Sequence, residues 1–247
     1  MSNALVIVPT YNEKENVEKM ILKVMSLDPQ FDLLIIDDGS PDGTASIVKR
    51  MMQQFKGRLF IEERQGKLGL GTAYIHGFKW ALERDYAFIC EMDCDFSHNP
   101  DDLKILKAAC ENGGDLAIGS RYIKGVNVVN WPMGRVLMSY FASKYVKVLT
   151  GMPINDATAG FKCYTRKVLE AIDFDQIHFK GYAFQIEMKF TAWMMKFKLV
   201  EEPIIFTDRQ EGTSKMDTSI FREAFFGVIQ MKFWSWFKKY PKIGKAS

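Results

Sequence analysis

Short, mainly apolar runs recur along the first half of the chain, at residues 4–8, 33–37, 58–62, 87–92 and 116–119. Between them lie longer stretches, 13–25, 43–55, 71–84 and 99–111, whose apolar residues recur at helical spacing. Runs of four to six residues alternating with amphipathic helices predict βαβ units, and therefore a mostly parallel central sheet flanked by helices. In open α/β sheets ligands sit beyond the C-terminal ends of the strands. The residues that follow each run are therefore the place to look for chemistry.

The second half is less regular. It predicts a helix over 131–149, a strand at 161–165, a helix rich in aromatics and Met over 183–197, and a strand at 199–206. A polar loop over 207–219 then leads to a last helix over 220–239. No internal repeat, low-complexity tract or linker interrupts the chain. The expected division is an α/β domain over 1–218 and an amphipathic helix with its tail over 219–247.

The strand ends carry polar clusters. After the first run comes Pro9-Thr10-Tyr11-Asn12-Glu13, in which Glu13 also suits a helix N-terminus. After the second comes Asp37-Asp38-Gly39-Ser40-Pro41-Asp42-Gly43-Thr44. Asp42-Gly43 is turn chemistry and Thr44 or Asp42 a cap. Adjacent carboxylates at a buried strand end repel unless satisfied, and the donor-rich edge of a base or ribose is a natural partner for them. Gly66-Lys67-Leu68-Gly69-Leu70-Gly71 follows the third run in the order G-x-x-G-x-G. Its spacing matches neither a dinucleotide fingerprint nor a P-loop.

The fourth run is followed by Asp93-Cys94-Asp95-Phe96-Ser97-His98. In an extended segment residues two apart point the same way, so Asp93 and Asp95 can converge. Their hard oxygens suit Mg²⁺ or Mn²⁺, leaving coordination sites for phosphates and water. Capping does not account for them, because Asn99 at the N-cap, Pro100 at N1 and Asp101-Asp102 in the first turn already supply it. Ser97 is a candidate third ligand, and His98 reads as a local hydrogen-bonding group. Gly119-Ser120-Arg121-Tyr122 follows the fifth run, Arg135 and Ser139 share a helix face, and the late loop holds Asp208-Arg209 and Lys215. Arginine forks match phosphate oxygens bidentately and lysine adds a compact charge, as a site handling several phosphates requires.

Composition narrows the classes. The 247 residues suit one α/β domain, and 47% hydrophobic content supplies a core. A net charge of +3 with dispersed basic residues gives no case for nucleic acid. Cys90, Cys94, Cys110 and Cys163 form no C-x-x-C pair, and residues 1–8 show no secretion signal, so the expectation is a reduced, cytoplasmic chain. The most apolar segment, 220–237, contains Arg222, Glu223 and Lys232, each costing about 2.5–3.5 kcal/mol at a membrane centre. No membrane-spanning helix is expected.

In this order, Val8-Pro9-Thr10-Tyr11-Asn12-Glu13, Asp37-Asp38-Gly39-Ser40 and Asp93-x-Asp95 resemble the family-2 glycosyltransferases, which have the GT-A (Rossmann-like) fold. Asp38–Thr44, Lys67–Tyr74, Met92–His98, Gly119–Tyr122, Gly181–Glu187 and Asp208 through Lys215 are similar to the dolichol-phosphate (polyprenol-phosphate) mannose synthases within it. The resemblance spans residues 4 to 216. It implies an inverting, metal-dependent transfer of mannose from GDP-mannose to a polyprenyl monophosphate. Pro9, Tyr11, Glu13, Ile36 and Asp38 would hold the nucleoside. Asp93, Asp95, the Cys94 backbone and Ser97 would hold metal and diphosphate. Arg121, Arg209 and Lys215 would neutralise donor and acceptor phosphates, and Arg135 and Ser139 would place the acceptor phosphate. Asp95, Arg121, Arg135 and Arg209 are thus the catalytic candidates. Cys94 stands where relatives often carry Ala, and Ser97 where some carry a longer Gln, which weakens the case for ligation by Ser97.

The last helix presents Phe221, Phe225, Phe226, Phe233, Trp234, Trp236 and Phe237, then Lys238 and Lys239. Such a pattern fits core or a dimer surface as well as a helix lying in a membrane interface. The resemblance favours the interface, on the cytoplasmic face of a membrane, and leaves room for a separate anchoring subunit. Glucose transfer from UDP-glucose, transfer to a polysaccharide or protein hydroxyl, sugar nucleotidyl transfer and a non-catalytic nucleotide-sugar sensor are the competing readings.

Overall fold

The computed structural model describes residues 2–209, 218–241 and 243. The runs at 4–8, 33–37, 58–62, 87–92 and 116–119 become β1 (Ala4–Thr10), β2 (Asp32–Asp37), β3 (Leu59–Glu63), β4 (Phe88–Glu91) and β5 (Leu116–Ser120). The helices between them are α1 (Val17–Met25), α2 (Thr44–Met52), α3 (Leu70–Leu82) and α4 (Leu103–Glu111). Beyond β5 come β6 (Val128–Val129), α5 (Met133–Thr150), β7 (Lys162–Thr165), α6 (Arg166–Ala171), α7 (Tyr182–Met194), β8 (Leu199–Pro203), β9 (Phe206–Thr207) and α8 (Thr218–Trp234).

Seven strands form one sheet in the order β3-β2-β1-β4-β7-β5-β8, and β6 pairs with β9 in a small second sheet. Every pair in the large sheet is parallel except β4–β7 and β7–β5. Side chains alternate across the central strands, so each face has its own core. Leu5 and Ile7 of β1 point to α3, α7 and α8, whereas Ala4, Val6 and Val8 point to α1, α2 and α4. Each fully enclosed Leu or Ile contributes roughly 1.5–3 kcal/mol of burial. Gly77 lets α3 lie close to the sheet, since a Cβ there would sit 2.7 Å from Ile7 Cγ2.

Three expectations change. The single strand expected at 199–206 is two, because the ladder to β5 ends at Pro203 and β9 pairs elsewhere. Proline has no N–H for a ladder and belongs at such ends. The last helix begins at Thr218 and stops at Trp234, not Lys239. The loop after β4 is a bend, not a continued extended segment, with Phe96 in the left-handed region at φ 57°.

Candidate active site

The C-terminal ends of β1, β2, β4 and β5 open toward one side of the sheet, and the polar clusters meet there. At the β1–β2 side the two aspartates are satisfied internally. Asp37 accepts from Thr10 Oγ1 at 2.9 Å and from the Ser40 backbone N–H at 2.9 Å. Asp38 accepts from Arg64 Nε at 2.7 Å. The mutual repulsion that suggested an external donor is therefore relieved within the fold, and Arg64 is a residue the sequence reading missed. Gly39 makes this possible: it is left-handed at φ 69°, and a Cβ there would press within 3.1 Å of the Gly66 backbone nitrogen.

The remaining nucleoside candidates divide. Pro9, Tyr11 and Glu13 are half-exposed at the mouth, with Lys67 Nζ 5.6 Å over the Tyr11 ring and Asn16 donating to Glu13. Ile36 is fully enclosed in the core, and the Cys94 side chain is buried against the opposite core. The glycine-rich loop is committed inward: the Gly71 N–H donates to the Lys180 carbonyl at 2.8 Å, and a Cβ on Gly71 would lie 2.7 Å from Phe184.

Past β4, the Ser97 N–H donates to Asp95 Oδ1 at 3.0 Å, and the Ser97 carbonyl accepts from the Thr207 N–H at 3.1 Å. That second bond ties the loop to β9, which delivers Arg209 Nη2 to Asp95 Oδ2 at 2.9 Å. Asn99 caps the following turn as expected, accepting from the Asp101 N–H. Tyr74 reaches Asp93 from below at 3.4 Å, and His98 Nδ1 lies 4.0 Å from its other oxygen. Burial, then the Asp95 and Glu91 carboxylates, push Asp93 above the usual carboxylate range. Burial pulls His98 down to about 4, so it is neutral at pH 7 and a weak base.

A cavity opens between this loop and α5. Asp93 and His98 line one side, Arg121, Trp131, Arg135 and Ser139 another, and Thr158, Gly160 and Gln185 the floor. The structure thus brings Asp93, Arg121, Arg135 and Ser139 around one space. Arg135 Nη1 pairs with Asp208 at 3.1 Å. Arg121 is buried, and its Nε and Nη2 each lie 2.7 Å from a carboxylate oxygen of Asp156. Lys215 lies outside the described residues. Asp156 and Thr158, which hold Arg121, were not singled out from the sequence.

Beneath the cavity lies a buried polar cluster. Lys162 Nζ sits 3.0 Å from Glu91 Oε2, Tyr164 donates to Glu91 Oε1 at 2.9 Å, and Gln185 Nε2 donates to Glu91 Oε2 at 3.0 Å. Lys162 also donates to Gln185 Oε1, and Lys189 donates to the Ala159 carbonyl at 2.6 Å. A lysine inside the apolar 161–165 run was the available signal for this cluster.

Residues 5–173 match the glycosyl transferase family 2 domain. The chain belongs to glycosyltransferase family 2. The chain is 46% identical over 226 residues to the polyprenol monophosphomannose synthase of Mycolicibacterium smegmatis, covering 92% of this chain and 85% of that one. It is 41% identical over 226 residues to the undecaprenyl-phosphate mannosyltransferase of Micrococcus luteus, covering 92% of each. Among solved structures, glucosyl-3-phosphoglycerate synthase from Mycobacterium tuberculosis with Mn²⁺, UDP and glucosyl-3-phosphoglycerate superposes with a TM-score of 0.66 at 15% identity, over 92% of this chain and 77% of that one. A mannosyltransferase from Pyrobaculum calidifontis with GDP-mannose and Mn²⁺ gives 0.58 at 17% identity, over 99% and 66%. This family-2 glycosyltransferase therefore has the fold of enzymes solved with a divalent metal bound.

Proposed function

We propose that the chain transfers mannose from GDP-mannose to a polyprenyl monophosphate of dolichyl type, with inversion, giving polyprenyl-phosphate mannose. The observation that carries this reading is the single cavity that has Asp93 on one side and Arg135 with Ser139 on the other. Such a space fits a donor diphosphate beside Asp93 and an incoming phosphate beside α5. The two named mannosyl relatives supply the sugar and the lipid class.

Asp93 and Asp95 are the residues that would hold Mg²⁺ or Mn²⁺, with Ser97 near by. The donor set fits: two carboxylates crowd each other enough to raise Asp93, which an adjacent cation relieves. Among the described residues no group of three or more His, Cys, Asp or Glu side chains surrounds a metal position, which leaves ligand sites for diphosphate oxygens and water. Bound there, the ion supplies charge neutralisation for the departing nucleoside diphosphate. Arg209 lies alongside Asp95, within reach of the same phosphates. Arg121, Arg135 and Ser139 orient the acceptor phosphate, and Lys215 adds charge to the same loop as Arg209. Pro9, Tyr11, Glu13 and Asp38 form the nucleoside end.

A phosphate monoester with a second pKa of about 6 is already anionic at pH 7. Its oxygen attacks the anomeric carbon as the glycosidic bond to the diphosphate breaks, and no proton has to be removed first. A hydroxyl acceptor would need a base, and His98 is a poor one. Catalysis is then positioning and electrostatic stabilisation by the cavity's cations.

The acceptor's polyprenyl chain requires a membrane surface. Met133, Leu137, Phe141 and Val148 form an exposed stripe on α5, and Phe226, Ile229, Phe233, Trp236 and Phe237 form another on and just after α8. The two helices are joined by Tyr145, which stacks on Phe225 and donates to its carbonyl at 3.0 Å. No described helix is long and apolar enough to cross a membrane. The stripes therefore suit a peripheral, interfacial seat.

The test is product formation from radiolabelled GDP-mannose or UDP-glucose with undecaprenyl or dolichyl phosphate and Mg²⁺ or Mn²⁺. Chelator-sensitive mannolipid is the expected product. Glucolipid instead would reassign the donor, and metal-dependent nucleotide binding without any lipid product would overturn the acceptor class.

A further inference from the structure

Gln185 is 3% exposed and lies on the floor of the cavity that holds Asp93, Arg135 and Ser139. A carboxamide in such a place usually has two near-equivalent orientations. Here it has one. Lys162, a donor with no acceptor capacity, faces Oε1, and Glu91, an acceptor, receives one Nε2 hydrogen at 3.0 Å. Flipping the amide would set Nε2 against the ammonium and Oε1 against the carboxylate. Lys162 and Glu91 are themselves paired at 3.0 Å and fully enclosed, so the frame is rigid.

Among the described residues this leaves the second Nε2 hydrogen of Gln185 without a protein partner. Gly160 lies beside it and also lines the cavity, with its missing Cβ 3.7 Å from Nε2. Much of the remaining lining is apolar, from Leu70, Ala142, Ile186 and Ile204. A fixed, unspent donor lining such a cavity takes an oxygen from whatever fills it, water in the free protein and a ligand oxygen when the cavity is occupied, because a buried donor left unmade is costly.

We propose that Gln185 is a specificity-determining residue that donates this hydrogen bond to one hydroxyl of the sugar being transferred, and that Glu91 and Lys162 are positioning residues that fix the amide for it. The inference rests on the proposed transferase reading, in which the sugar lies between the diphosphate at Asp93 and the phosphate at Arg135. A fixed donor discriminates sugars by the presence of an oxygen, which apolar contact does poorly.

The variant is Gln185→Met, which keeps length and leaves the Lys162–Glu91 pair in place. Wild type and variant are compared on the unmodified nucleotide sugar and on its monodeoxy analogues, one hydroxyl removed at a time. Wild-type turnover of the unmodified donor tests the transferase reading by itself. If Gln185 makes the bond, one deoxy donor loses about tenfold or more in kcat/KM with wild type. That penalty disappears in Gln185→Met, while penalties at the other hydroxyls persist. A purely structural role would lower kcat/KM equally for every donor, and unchanged discrimination at all positions would equally overturn the assignment. Melting temperature and nucleoside diphosphate affinity, measured alongside, show that the variant is folded. Lys162→Met or Glu91→Gln should blunt the same single penalty by releasing the amide.

Discussion

His98 stacks on Phe161 with ring centroids 4.9 Å apart and is held neutral by burial, its pKa drawn from the ordinary 6.5 down to about 4. A depressed folded-state value contributes stability that is present above pH 6.5 and lost as pH falls toward 4. Asp93, shifted upward, acts in the opposite sense. Its side chain is 41% exposed, so water tempers its share. In metal-free protein the His98 share is therefore lost on acidification across that window, while the Asp93 share grows. Thermal melts in chelator check this: relative to wild type, His98→Gln should gain stability as pH falls from 6.5 toward 4, and a variant curve parallel to wild type would remove His98 from the account. Asp95→Ala should cut lipid product formation by about a hundredfold or more. Alanine at His76, His98 or His178 should not do so, and an essential histidine would end the base-free scheme. Asp93 and Asp95 were legible because Asn99 and Pro100 already account for the cap of the next helix. Arg64 and Asp156 were not, since a counter-ion 26 or 35 residues away leaves no local pattern.

Among elements, the parallel βαβ units could be read directly, because period and length separate buried strands from amphipathic helices. β7 was legible as a strand but not as an antiparallel insertion, since direction and neighbours are decided by tertiary packing. The α3 contact with β1 is a case where local preference and packing disagree. Alanine is favoured over glycine inside a helix by about 0.5–1 kcal/mol. At Gly77 the new Cβ would meet Ile7, and overpacking costs about 1–3 kcal/mol. Gly77→Ala should therefore lower stability in denaturant titration; an increase would mean that α3 can withdraw from the sheet freely.

For the whole molecule, the exposed apolar stripes on α5 and α8 belong to one face because Tyr145 joins the two helices. The sequence pattern alone could not separate this surface from a core, since both use the same residues; exposure separates them. Trp236 and Phe237 are 69% and 73% exposed, so glutamate at both should leave the fold intact. The double variant should lose flotation with polyprenol-bearing vesicles and keep turnover of a short-chain, water-soluble acceptor. Equal losses in both assays would mean that these residues serve the active site instead. The place of β7 in the sheet also bears on how the protein is made. When residue 120 has left the ribosome, β5 exists but both of its neighbours, β7 and β8, are still to come. β4 likewise has one open edge, and Glu91 lacks Lys162, Tyr164 and Gln185. The newborn chain therefore carries β5 unpaired, one edge of β4 open and a carboxylate without its cation until Lys162–Thr165 has emerged more than 40 residues later, and through that interval those edges are open to wrong pairing.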